Sequence, residues 1–175
     1  MKKTHLILLI FLALGFSVSG ANAAPREAKI SASEELFFPT RVNTMLGMCV
    51  SQGASLLSGM QLGHAPFTGT PLYFGPEFTF ALYSPGSLFS VAAGGWYDFP
   101  IYGTPHLTLS LGAVVGGAIA SDLPQFPSTS LIGFLDVSLS QELDDLTSVR
   151  AQFRPGIIHH SVAYMMNFSL SFRFR

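Results

Sequence analysis

The feature that most constrains this chain is a strict period of two. In "NFSLSFRF", close to the C-terminal end, Asn167, Ser169, Ser171 and Arg173 share one parity, and Phe168, Leu170, Phe172 and Phe174 share the other. Successive side chains of an extended strand point to opposite faces, so this segment has one polar and one apolar face. The pattern recurs upstream. "LYFGPEFTFALY" sets Leu72, Phe74, Phe78, Phe80 and Leu82 against Glu77 and Thr79, and "FLDVSLSQE" sets Leu135, Val137 and Leu139 against Asp136, Ser138, Ser140 and Glu142. "SVRAQFRP" opposes Val149, Ala151 and Phe153 to Ser148, Arg150, Gln152 and Arg154. No stretch reads as an amphipathic helix. The breaks "HAPFTGTP", "SPGS", "PIYGTP", "SDLPQFPST" and "LDDL" supply the Pro, Gly, Asp and Ser that turns use. They divide the chain into eight strands, roughly 41–51, 55–63, 71–83, 88–99, 106–119, 130–142, 147–157 and 161–174.

A period of two does not say which face is inside; composition does. Only 11% of the 175 residues are charged, 13% are aromatic, and the mean hydropathy is +0.44. A soluble sandwich would show water a polar face rich in Lys and Glu, whereas these polar parities are mostly Ser, Thr, Gly and Asn without a lysine. Small side chains suit the crowded lumen of a narrow barrel, and the apolar parity then faces lipid. In hydrocarbon an open sheet edge would leave backbone N–H and C=O groups unpaired, so closure is part of the expectation. The fold class expected is all-β: a closed, antiparallel transmembrane β-barrel of about eight strands.

The N-terminus reads as a secretory signal peptide over residues 1–23: a basic "MKKTH", an apolar "LILLIFLALGFSV" and a small-residue "ANA" before Ala24. The apolar run is shorter than the roughly 20 residues a membrane-spanning helix needs. An irregular segment is expected over 24–40 and the barrel over 41–175. The single cysteine, Cys49, excludes an internal disulfide framework and reads as a small interior or interface residue. A net charge of -1 offers no electrostatic basis for nucleic-acid binding.

With a leader, about eight amphipathic strands and the terminal strand "YMMNFSLSFRF", the chain resembles the small outer-membrane β-barrels of the OmpA/OmpX type, the porin-family or outer-membrane β-barrel domain proteins. The resemblance implies a bacterial outer-membrane location, contact with outer-membrane lipid and lipopolysaccharide, and insertion by the barrel-assembly machinery. It also implies that Phe168, Leu170, Phe172 and Phe174 form the assembly signal. Family members usually end in an aromatic residue; here Phe174 is penultimate, before Arg175. A monomer with a structural or interaction role is expected.

By parity, the inward charges are Glu77, Asp98, Asp136 and Glu142 against Arg41, Arg150, Arg154 and Arg173. Four acids facing four arginines suggest a lumen plugged by compensating charges, since each buried charge needs a partner. The alternatives are a narrow pore or a lipid-modifying enzyme. The latter rests on "HHS" at His159–Ser161, which is similar to the His-x-Ser element of outer-membrane lipid A deacylases; the acid that completes their site would follow it, and no Asp or Glu follows Asp145. No catalytic, cofactor or metal site is assigned. In an extended segment His159 and His160 would point apart, giving no ligand spacing. Trp96, Tyr97 and Tyr102 read as an interfacial aromatic girdle, and Pro76 and Pro155 as bulges or strand ends.

Overall fold

The computed structural model describes residues 39–67, 69–101 and 106–174, so the expected signal peptide, most of the irregular segment and Tyr102 lie outside the described residues. Eight antiparallel strands form one closed barrel: β1 (Thr40–Val50), β2 (Ala54–His64), β3 (Leu72–Leu82), β4 (Ser87–Pro100), β5 (Leu107–Ser121), β6 (Thr129–Glu142), β7 (Thr147–Ile158) and β8 (Ser161–Phe174). Each pairs with its neighbours in sequence, and β8 closes on β1 from Thr40↔Phe174 to Val50↔Tyr164. No sheet edge remains. The strands, of 11 to 15 residues, satisfy the roughly 9–11 that a tilted membrane-crossing strand requires.

The apolar parity faces out. Leu131 is 77% exposed, Leu46 and Val115 each 68%. Phe168, Leu170, Phe172 and Phe174 are likewise exposed on β8, while Ser169, Ser171 and Asn167 are buried inside. A protein turned inside out in this way is soluble only in hydrocarbon.

Both described chain ends and the β2–β3, β4–β5 and β6–β7 connections lie at one end, here called the proximal end. The β1–β2, β3–β4, β5–β6 and β7–β8 connections lie at the distal end, and run from two residues (His159–His160) to seven (Asp122–Ser128).

Pro76 and Pro155 sit inside β3 and β7, not at strand ends, and neither makes a bulge. The β2–β3 ladder lapses between Gln61↔Glu77 and His64↔Phe74, and the β6–β7 ladder between Phe134↔Gly156 and Val137↔Phe153, yet the register resumes unshifted on either side. A missing N–H removes one ladder bond; the flanking pairs hold the register.

Candidate functional site

All eight predicted inward charges line the lumen, and the structure gathers them into three groups. At mid-height, Arg154 on β7 is fully buried; its Nη1 donates to Glu77 Oε1 at 2.6 Å, and its Nε and Nη2 donate to Asp136 Oδ2 at 3.0 and 2.7 Å. Glu77 lies on β3, four strands from β7 in a ring of eight. The guanidinium therefore reaches across the lumen to the opposite wall. Nearer the proximal end, Arg41 Nη1 donates to Asp98 Oδ2 at 2.7 Å, and Arg150 lies 3.8 Å from the other oxygen of Asp98. At the proximal rim, Arg173 meets Glu142 at 2.6 Å, and His106 lies 3.4 Å from the same carboxylate.

Neutral side chains extend the mid-height group. Asn43 donates to Gln61, Gln61 donates to Glu77 Oε2 at 3.0 Å, and Gln152 and Trp96 donate to Asp136 Oδ2 at 3.3 and 3.0 Å. One hydrogen-bonded chain thus ties β1, β2, β3, β4, β6 and β7 together. Charge-assisted bonds in low dielectric are stronger than neutral ones, and a group that loses its partner there is correspondingly costly.

Trp96 is a correction to the sequence reading: it is no girdle residue but a fully buried lumen side chain. Its parity, shared with Asp98, was the signal available. The indole fits because Gly94 and Gly112 flank it; a Cβ added at either would come within 2.4 Å of the ring. Tyr97, the next residue, faces out and packs against Phe99 with ring centroids 4.5 Å apart. Arg41 is stacked 4.0 Å over the Tyr73 ring, a cation–π contact beside its ion pair.

The distal half of the lumen differs from the expected polar filling. Many of its inward positions are apolar, among them Cys49, Leu57, Leu88, Ile132, Ile158 and Ala163, interspersed with the small polar Ser55, Ser90 and Ser130. The β5–β6 connection folds over them and buries Leu123 and Phe126, held by a Phe126 N–H to Leu123 carbonyl bond of 3.0 Å. Phe126 meets Tyr83 edge-on at 5.9 Å, and the Tyr83 hydroxyl donates to Cys49 Sγ at 3.7 Å. Burial pushes the Tyr83 phenol above its ordinary value, and the adjacent Cys49 adds to the shift. The sequence held no period for this loop, so its inward residues were not legible.

His159 and His160 form the two-residue β7–β8 turn rather than an extended segment. His159 adopts φ 56°, and the two rings lie side by side, 3.9 Å between centroids, instead of pointing apart. Ser161 Oγ accepts from Gln52. No group of three or more His, Cys, Asp or Glu able to hold a metal occurs among the described residues.

No protein-family model matches the sequence, and no curated protein matches it either. Solved structures do. Neisserial surface protein A superposes with a TM-score of 0.60 at 17% identity, over 77% of this chain and 96% of that one. This is the fold of the small outer-membrane β-barrels. The N-terminal β-barrel domain of Pseudomonas aeruginosa OprF follows, with a TM-score of 0.57 at 13% identity, over 77% of this chain and 97% of that one. A de novo designed transmembrane β-barrel matches with a TM-score of 0.50 at 12% identity.

Proposed function

We propose that this chain is an integral outer-membrane protein whose barrel is closed to conduction and serves a structural or interaction role without catalysis. The observation that carries the reading is Arg154, which joins β7 to Glu77 on the opposite wall. A lumen spanned by one side chain at mid-height, and packed with apolar side chains under the β5–β6 connection, leaves no aqueous path. The barrel acts as a monomer in contact with lipid and lipopolysaccharide. The barrel-assembly machinery reads Phe168, Leu170, Phe172 and Phe174 on β8 during insertion after export. Against a Ser–His nucleophile stands the partner of Ser161, which is Gln52.

The distal end faces outward in this reading. Its connections, from His159–His160 to Asp122–Ser128, run to seven residues at most, so little chain has to cross during insertion. Heat-modifiable migration tests closure, and single-channel recording tests the lumen: a resistant folded form with no steps is expected, and steady conductance overturns the plug. Ser128→Cys should react with an impermeant thiol reagent on intact cells, and Asp145→Cys only after permeabilisation; the reverse pattern inverts the orientation.

A further inference from the structure

We propose that the proximal lumen holds one compact monovalent anion of halide size, bound between Arg41 and Arg150 against the inner face of β8. The site lies on the proximal side of Arg154 and adds a ligand to the closed-barrel reading above.

In the closed ring β4 stands opposite β8, and β1 and β7 flank β8. Asp98 on β4 therefore meets arginines from the far wall: Arg41 of β1 donates to its Oδ2 at 2.7 Å, and Arg150 of β7 lies 3.8 Å from its Oδ1. Two guanidiniums share one carboxylate, so this layer carries one positive charge in excess. Arg41 is 3% exposed and Arg150 2%, yet Nε and Nη2 of Arg41 and Nε and Nη1 of Arg150 have no hydrogen-bond partner among the described residues. No second acid pairs with either arginine there. The mid-height group does not neutralise them. Glu77 is held by Arg154 and Gln61, and Asp136 Oδ2 by Arg154, Gln152 and Trp96. Asp136 Oδ1 is itself without a partner and forms no ion pair with Arg150, so the two layers stay separate. At the rim, Glu142 is matched by Arg173.

Donor chemistry selects the occupant. Buried polar groups in folded proteins are satisfied almost without exception, by protein, water or an ion. A guanidinium has no acceptor atom, so whatever meets these free N–H groups must accept. Water accepts but leaves the excess charge uncompensated away from solvent, whereas an anion supplies acceptor and countercharge together. Between the arginines, the inner face of β8 offers hydroxyls rather than carboxylates: Ser169 is the register partner of Arg150, Arg173 is that of Arg41, and Ser171 lies between them. The Ser169 hydroxyl has no partner of its own among the described residues and can donate to the same ion. A single charge in excess, in a lumen that one arginine spans, suits a compact monovalent ion. Entry is from the proximal rim, where side-chain exposure falls from 28% at Glu142 and 24% at Arg173 to 15% at Asp98.

The test follows urea unfolding of the barrel in mild detergent while chloride replaces gluconate at constant ionic strength, which holds screening fixed. Wild type should gain stability saturably with chloride, because an ion bound only by the folded state stabilises it. Arg150→Gln removes the excess charge while keeping the Arg41–Asp98 pair, and the chloride dependence should vanish. Asp98→Asn raises the excess to that of both arginines and should tighten chloride binding several-fold although it breaks an ion pair; a purely structural triad would lose stability with no tighter binding, and that result overturns the proposal. Should either variant fail to fold, bromide-soaked crystals of the wild-type barrel should show an anomalous peak between Arg41 and Arg150. Wild-type stability indifferent to chloride, water alone at that position, or a chloride dependence that survives Arg150→Gln likewise overturns the site. Steady conductance would defeat the plug at Arg154 and leave this stability measurement untouched, so the two readings fail separately.

Discussion

Arg154 and Asp136 meet through two nitrogens on a single oxygen, Nε at 3.0 Å and Nη2 at 2.7 Å from Oδ2, with both side chains essentially removed from solvent. Their strands, β6 and β7, pair in a register whose partners, such as Val137↔Phe153, place these two residues opposite each other on the inward face. Removing one partner of a buried pair strands a charge and costs roughly 3–5 kcal/mol. Arg154→Ala strands both Asp136 and Glu77 and should lower unfolding stability in liposomes by about that much, whereas Asp136→Ala leaves Arg154 its bond to Glu77 and should cost less. The double substitution should recover only part of the loss, because Glu77 then lacks its guanidinium and Trp96 its acceptor. Adding Glu77→Gln should restore more. Strictly additive losses in a double-mutant cycle would show that the pair is not coupled.

The lipid face predicts a sharp contrast between neighbours. Val137 faces outward in mid-strand and Ser138 is buried in the lumen. Val137→Arg should cost about 2–4 kcal/mol near the bilayer midplane. Unchanged folding equilibria in liposomes would mean that this wall does not meet hydrocarbon.

Phe126 closes the distal mouth by packing on Tyr83 above the apolar layer. Phe126→Ala should destabilise the barrel by roughly 3 kcal/mol, within the range for large core truncations. The mid-height ion network stays in place, so single-channel recordings should remain silent. Conductance in this variant would show that the loop, rather than Arg154, is the barrier.

Asp144 at the β6–β7 turn accepts from the Leu146 N–H at 2.8 Å and the Thr147 N–H at 2.7 Å, and the Leu146 bond, with help from Thr147, holds its carboxyl below the ordinary value. A depressed folded-state value stabilises the turn above the usual carboxylate range, and that contribution disappears as pH falls through the lowered value. Local amide protection at Leu146 and Thr147 should therefore drop in acid. Asp144→Ala should show the low protection at all pH values, with no acid-dependent change left.

How much of this was legible in advance follows from what a period of two encodes. Eight strands and their boundaries to within about two residues follow from alternation, because a pleated backbone leaves a side chain only two directions; that the polar parity and its charged side chains face inward follows from composition, which has too few charges, and no lysine on the polar parities, for a water-facing polar surface. Even the β6–β7 register could be counted from the turn around Asp145, since a short hairpin fixes its own pairing. The meeting of Arg154 with Glu77 could not: it joins strands on opposite walls, and no local rule relates positions 77 residues apart until the sheet closes. The same holds for the burial of Leu123 and Phe126 by a loop without period, for the pocket that Gly94 and Gly112 open for Trp96, and for the side-by-side rings of His159 and His160. Alternation along each strand, read with composition, determined what faces inward; only closure of the barrel, which brings distant walls within a side chain's reach, decided which of those groups touch.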